Sequence, residues 1–316
     1  VPGGGIRFEH VHVFRGSRRD DQATLQQRPE LAGMSVSAVL TPGMRSLMRI
    51  PTTGVTRTAG FTILELVVSL FVVALLLGSV MSPLQTQVEE RRVSETKRLL
   101  DQAHEALLGY AAAHGYFPCP ADAASNGQEA FGTNHNTGSC PVWHGFLPAA
   151  LLGLGPADAQ GYAIDAWGLS ANRIRYAVSN HAVAGVVSPF TRMNGFRSVP
   201  MMAIAATPLL HVCESGVGVN PGTDCGTAVT LAWNAVVVVW STGANAATGG
   251  ASMHEAENPN SNGGSVDRIF VSRVRSTVPG NEFDDMLTWV AAPALLSRLV
   301  VAGQFTPAAY SATSPP

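Results

Sequence analysis

The side chains best suited to chemistry are few and widely separated. Four cysteines fall into two close pairs, Cys119 with Cys140 and Cys213 with Cys225, each bracketing a loop-like excursion. In an oxidising compartment the two local bridges are the favoured pairing, although four cysteines admit three connectivities. A metal alternative would draw on Cys119, Cys140, His135 and His144, but their spacing has no C-x-x-C knuckle and matches no zinc pattern. His104, His114, His181, His211 and His254 read as structural or exposed. The sequence contains no G-x-S-x-G elbow, H-E-x-x-H helix, P-loop or G-x-G-x-x-G turn, so it does not read as an enzyme. An enzyme tethered by its N-terminus is the weaker alternative.

One carboxylate stands out from its surroundings. Glu65 is the single charge in FTILELVVSLFVVALLLGSVM, the run from Phe61 to Met81. As a helix that run would extend roughly 32 Å at about 1.5 Å per residue, close to one hydrocarbon thickness. Arg45, Arg49 and Arg57 precede it, with no acid between Glu30 and Glu65. The positive-inside rule then places the N-terminal flank in the cytoplasm and the rest outside. A carboxylate in such a run needs a partner and usually marks function.

The composition frames these residues. With 46% hydrophobic and 13% charged residues and a mean hydropathy of +0.16, the chain is too apolar for wholesale disorder. Its net charge of −2 and pI near 6.5 offer no electrostatic footprint for nucleic acid.

Gly60-Phe61-Thr62-Ile63-Leu64-Glu65, with a basic leader before it and an apolar run ending near Pro83 after it, resembles the processing site of type IV prepilins and type II secretion pseudopilins. The resemblance implies that a prepilin peptidase cuts after Gly60, that Phe61 becomes the N-methylated first residue, and that Glu65 governs assembly. The implied partners are that peptidase, other pilin or pseudopilin subunits, the inner-membrane assembly platform and membrane lipid. The implied location is the inner membrane, single-pass, with a cytoplasmic N-terminus and a periplasmic head, and a pilus or pseudopilus after assembly. Family leaders are short, so residues 1–43 are expected either to precede the true start, at Met44 or Met48, or to form a disordered extension lost with the leader.

The elements that must position these groups follow from periodicity. Pro83 should kink a helix that persists to His114 and stops at Gly115, ahead of Pro118 and Pro120. Residues 115–172 read as largely loop and short helix. Asp165-Ala166-Trp167-Gly168, followed by Tyr176, resembles a stretch leading into the first strand of major pseudopilins. Strands are expected at 174–178, 201–205, 209–213, 229–233, 235–240 and 269–274, and helix at 283–291 and 295–301, interrupted by Pro293. The expected fold class is α+β, a long N-terminal transmembrane helix packed on a mostly antiparallel β-sheet head. The expected divisions are a leader 1–60, a membrane half-helix 61–83, a periplasmic half-helix 84–114 and a head 115–316. The function implied is a pseudopilin or minor pilin; a pilus-tip adhesive or substrate-binding module, using loops such as 119–140 or 243–265, is the alternative.

The same resemblance raises calcium as a cofactor, since major pseudopilins hold that ion in a C-terminal acidic loop. Asp267, Asp284 and Asp285, with Glu255, Glu257, Glu282, Asn258, Asn260 and Asn262 nearby, offer the hard oxygens it requires. The competing expectation is that Asn281 caps a helix whose first turns hold Glu282, Asp284 and Asp285.

Overall fold

A computed structural model describes residues 60–248, 252–258 and 268–304, with backbone alone for 79–84. The leader region 1–59, with Met44 and Met48, lies outside the described residues, as do Asn260, Asn262 and Asp267.

The first element is α1, Ile63–His114, 52 residues long. It runs unbroken through Pro83. It stops where Gly115 adopts φ 79°, a left-handed conformation that suits glycine, and returns its N–H to the Ala111 carbonyl. Among the described side chains of α1, those that pack lie in its second half. Leu99, Leu100, Ala103, Leu107, Leu108 and Ala111 recur at helical spacing and are buried.

Their partner surface is a six-stranded sheet. Its strands are β1 (His144–Phe146), β2 (Arg175–Val178), β3 (Leu210–Cys213), β4 (Thr230–Ser241), β5 (Ile269–Val271) and β6 (Met286–Ala291). Strand β4 organises the rest. β2 and β3 pair antiparallel with its C- and N-terminal halves along one edge, and β6 pairs antiparallel along the other. Short helices α2 (Ala149–Leu152) and α3 (Met201–Ala206), the terminal α4 (Ala292–Val301) and two 3-10 turns, Ser170–Asn172 and Gly195–Ser198, complete the described order.

The run Ala235–Trp240 is continuously apolar because both faces of β4 are covered. Val237 and Val239 join the core under α1 and α4, whereas Val238 and Trp240 join a second cluster with Leu210, Val212 and Phe270.

The architecture corrects the expected fold class in one respect. The fold is α+β and its sheet is mostly antiparallel, mixed by the single parallel pairing of β5 with β3. But no helix among the described residues is long and apolar enough to cross a membrane.

Three local expectations are also revised. Met201–Ala206 is helix; it follows Pro200 and is built of good helix formers, Met and Ala. Residues 283–291 are not helix, because Met286–Ala291 is held as β6 by its ladder with β4. Pro293 interrupts no helix. It occupies the first turn of α4, where its missing N–H costs nothing.

Candidate functional site

At the N-terminal junction, Gly60 is exposed with open space where a Cβ would stand, and Phe61 is 79% exposed. Thr62 caps α1: its extended backbone lets Oγ1 accept the Glu65 N–H at 3.2 Å. Glu65 therefore lies in the first turn, where its charge favours the positive end of the helix dipole. Beyond it, Leu66, Val67, Leu70, Phe71, Leu75 and Leu77 are all more than half exposed. An apolar surface of that extent marks a place of association.

The cysteines are joined as Cys119–Cys140 and Cys213–Cys225, with Cα separations of 5.5 and 5.6 Å. The first closes the loop after α1, and the second fastens the end of β3 against Ile269.

The structure brings Asp284 and Asp285 together with Glu255; the ligand oxygens of the three carboxylates lie within 4.8 Å of one another. Asn281 caps no helix here. Residues 282–285 lead into β6 instead, and Glu282 Oε2 accepts the Gly280 N–H at 2.8 Å. Asp284 Oδ2 accepts the N–H groups of Ala244 and Asn245, while its Oδ1 is buried without a hydrogen-bond partner. Burial, then repulsion from Glu255, pushes Asp284 up to about 6. Asp285 is pushed further, to about 8, mainly by burial, although Asn258 donates to its Oδ2 at 2.7 Å. Three crowded carboxylates with an orphaned buried oxygen are a donor set suited to a hard cation such as calcium. Asn258 is spent on Asp285 and on both backbone groups of Val271.

A second cluster lies beside Cys119–Cys140. Glu129 Oε1 accepts the Cys119 N–H at 2.5 Å and lies 3.0 Å from His135 Nε2. His135 Nδ1 lies 2.7 Å from the Thr191 carbonyl oxygen. Both ring nitrogens thus face acceptors, which favours the imidazolium. Burial opposes that charge, but Glu129 and the Thr191 carbonyl win, and the His135 pKa is raised. His144 is not in this group. It is buried on β1, with burial pushing it down to about 4, and its ring packs edge-on against Phe270. Glu129, which the sequence reading passed over, takes its place.

His254 is also structural. The Gly216 N–H donates to its Nδ1 at 3.1 Å, which occupies the only lone pair that could activate Ser215, 3.4 Å away. Asp165 of the D-x-W-G stretch is a fastener: it accepts from the Trp167 N–H, Asn172 Nδ2 and Ser241 Oγ, tying the turn to the end of β4.

Compared with family models, curated proteins and solved structures, the chain matches none.

Proposed function

We propose that this chain is a pilin-like subunit, a pseudopilin or minor pilin of a type II secretion pseudopilus or type IV pilus, processed after Gly60 and assembled through its N-terminal helix. The observation that carries the reading is the exposed apolar face of α1, which begins at the Gly60–Phe61 junction and contains one charge, Glu65.

Cleavage after Gly60 would create an α-amino group at Phe61, largely cationic at neutral pH with a reference pKa of roughly 7.7–8.0. It would lie close in sequence to Glu65. Packing the apolar faces of neighbouring subunits together contributes up to about 1.5–3 kcal/mol per large side chain buried. That attraction is indifferent to register. Pairing Glu65 with a neighbour's amino group makes it selective, because a slipped subunit would bury an unpaired carboxylate. Partners in this reading are a prepilin peptidase, sibling subunits and an inner-membrane assembly platform, with lipid against the apolar face before assembly. The two disulfides support a head outside the cytoplasm. Within that head, Glu255, Asp284 and Asp285 would hold a calcium ion, which supplies charge neutralisation and joins the loop after β4 to the start of β6.

Co-expression with a prepilin peptidase tests the central claim. The product should begin at methylated Phe61, and Gly60→Arg should stay uncut, because a bulky cation replaces the residue that leaves the cleavage pocket clear. An unprocessed wild-type chain, or cleavage at another bond, removes the reading.

A further inference from the structure

We propose that the Cys119–Cys140 bridge and a zinc site are alternative states of one loop: when the bridge is opened by a dithiol reductant, Cys119, Cys140, His135 and Glu129 hold one Zn²⁺. Three of these residues already offer ligand atoms, Cys119 Sγ, a Glu129 oxygen and a His135 ring nitrogen, within 4.8 Å of one another. Cys140 brings the fourth, since its sulfur is bonded to that of Cys119. Tetrahedral zinc, with bonds of about 2.0–2.3 Å, spaces its ligands roughly 3.3–3.8 Å apart, so Cys119, Glu129 and His135 are already gathered, and the released Cys140 sulfur must swing away from its former partner to complete the shell.

The orientation of His135 supports a metal more than a chance cluster. Its Nδ1–H is committed to the Thr191 carbonyl at 2.7 Å, which leaves Nε2 directed at Glu129 and the sulfur. A histidine that donates one ring N–H to a backbone carbonyl and presents the other nitrogen is the arrangement that orients metal ligands. The Met193 N–H donates to the His135 carbonyl at 2.7 Å, and Thr191 Oγ1 donates to the Gly138 carbonyl, so both flanks of the ligand are fixed. Tyr116 covers the imidazole, with ring centroids 4.3 Å apart. Two thiolates, one imidazole and one carboxylate suit Zn²⁺ better than the hard cations the acidic cluster would take.

The exchange balances. The dithiol gives two electrons and two protons to the bridge and leaves as its own disulfide; Zn²⁺ then displaces the two thiol protons and the proton on His135 Nε2. Reoxidation by a disulfide oxidant restores the bridge and expels the metal.

The test uses the full chain, reduced anaerobically with a phosphine that is then removed, and titrated with Zn²⁺ or Co²⁺. The reduced chain should bind one metal with thiolate-to-cobalt charge transfer and tetrahedral d–d bands, and the oxidised chain none. Cys213→Ser/Cys225→Ser should keep the spectrum. His135→Asn and Glu129→Gln, each shown to be folded by circular dichroism, should each weaken binding about tenfold or more. Absence of stoichiometric binding by the reduced chain, loss of the spectrum in the Cys213/Cys225 variant, or affinity unchanged in both ligand variants would overturn the proposal.

Discussion

Gly243 fits so closely against Asp284 that a Cβ on the glycine would lie 2.5 Å from the aspartate Cγ and Oδ1. Its φ of +65° is also one that side chains resist. Backbone and carboxylate are therefore held together by a residue whose only qualification is the lack of a side chain. Gly243→Ala should cost about 1–3 kcal/mol in thermal unfolding, from strain and from displacement of Asp284. An unchanged Tm would show that the carboxylate moves freely and that the cluster is not preorganised.

The acidic cluster also sets a pH dependence. Burial holds Asp285 at about 8, against an ordinary aspartate value of 3.8, and Asp284 at about 6. A folded-state pKa above the unfolded one means that the folded chain binds more protons. Stability is then fully present below about pH 4 and falls as pH rises toward 8. In chelator, the Tm contribution of these two groups should decline across that interval, and Asp284→Asn/Asp285→Asn should flatten the decline. Millimolar calcium should raise Tm at pH 8 much more than at pH 5, because only the ionised cluster can hold it. A calcium response equal at both pH values would place the ion elsewhere.

Legibility in the sequence followed how local each cause was. The end of α1 at Gly115 could be read because the left-handed turn and the prolines after it act within a few residues. The core strand β4 could be read from Ala235–Trp240, but the sequence split it at Asn234, which the structure keeps within one strand of 12 residues. β6 was misread because residues 283–291 suit either period, and its ladder with β4 decides from some 50 positions away in sequence. The candidate sites were harder still. Glu129 meets His135 across an irregular loop whose turns the sequence does not specify, and Glu255 meets Asp284 through a hydrogen bond across 29 positions. No spacing rule carries such pairs. A buried carboxylate shows itself only once the surrounding fold is known.

The two bridges differ in what their loss should do. Cys213 and Cys225 are 12 positions apart and are packed with Ile269 in a small cluster beside β3 and β5. By the loop-closure model such a bridge contributes roughly 2–4 kcal/mol. Cys213→Ser/Cys225→Ser should lower the unfolding free energy by about that amount, measured by denaturant titration, without changing processing at Gly60. All four thiols should resist alkylation until reduced, and peptide mapping should recover the two pairs separately. Crossed pairs would contradict the loop arrangement.

Assembly can be separated from processing at Glu65. Its first-turn position gives the carboxylate a local role, since the helix dipole favours it by about 0.3–1 kcal/mol. Replacement by glutamine should therefore leave α1 nearly as stable, with the Thr62 cap intact because that contact uses the Glu65 backbone N–H. If the charge serves only the helix end, Glu65→Gln and Glu65→Val should both assemble. If it pairs with the amino group of a neighbouring Phe61, both variants should be cut after Gly60 yet fail to enter filaments, because the amino group is buried with no anion to receive it. Filament incorporation, scored by shearing and immunoblotting beside N-terminal sequencing, distinguishes these outcomes. Normal incorporation of Glu65→Val would confine the residue to its place in the first turn and withdraw the register mechanism.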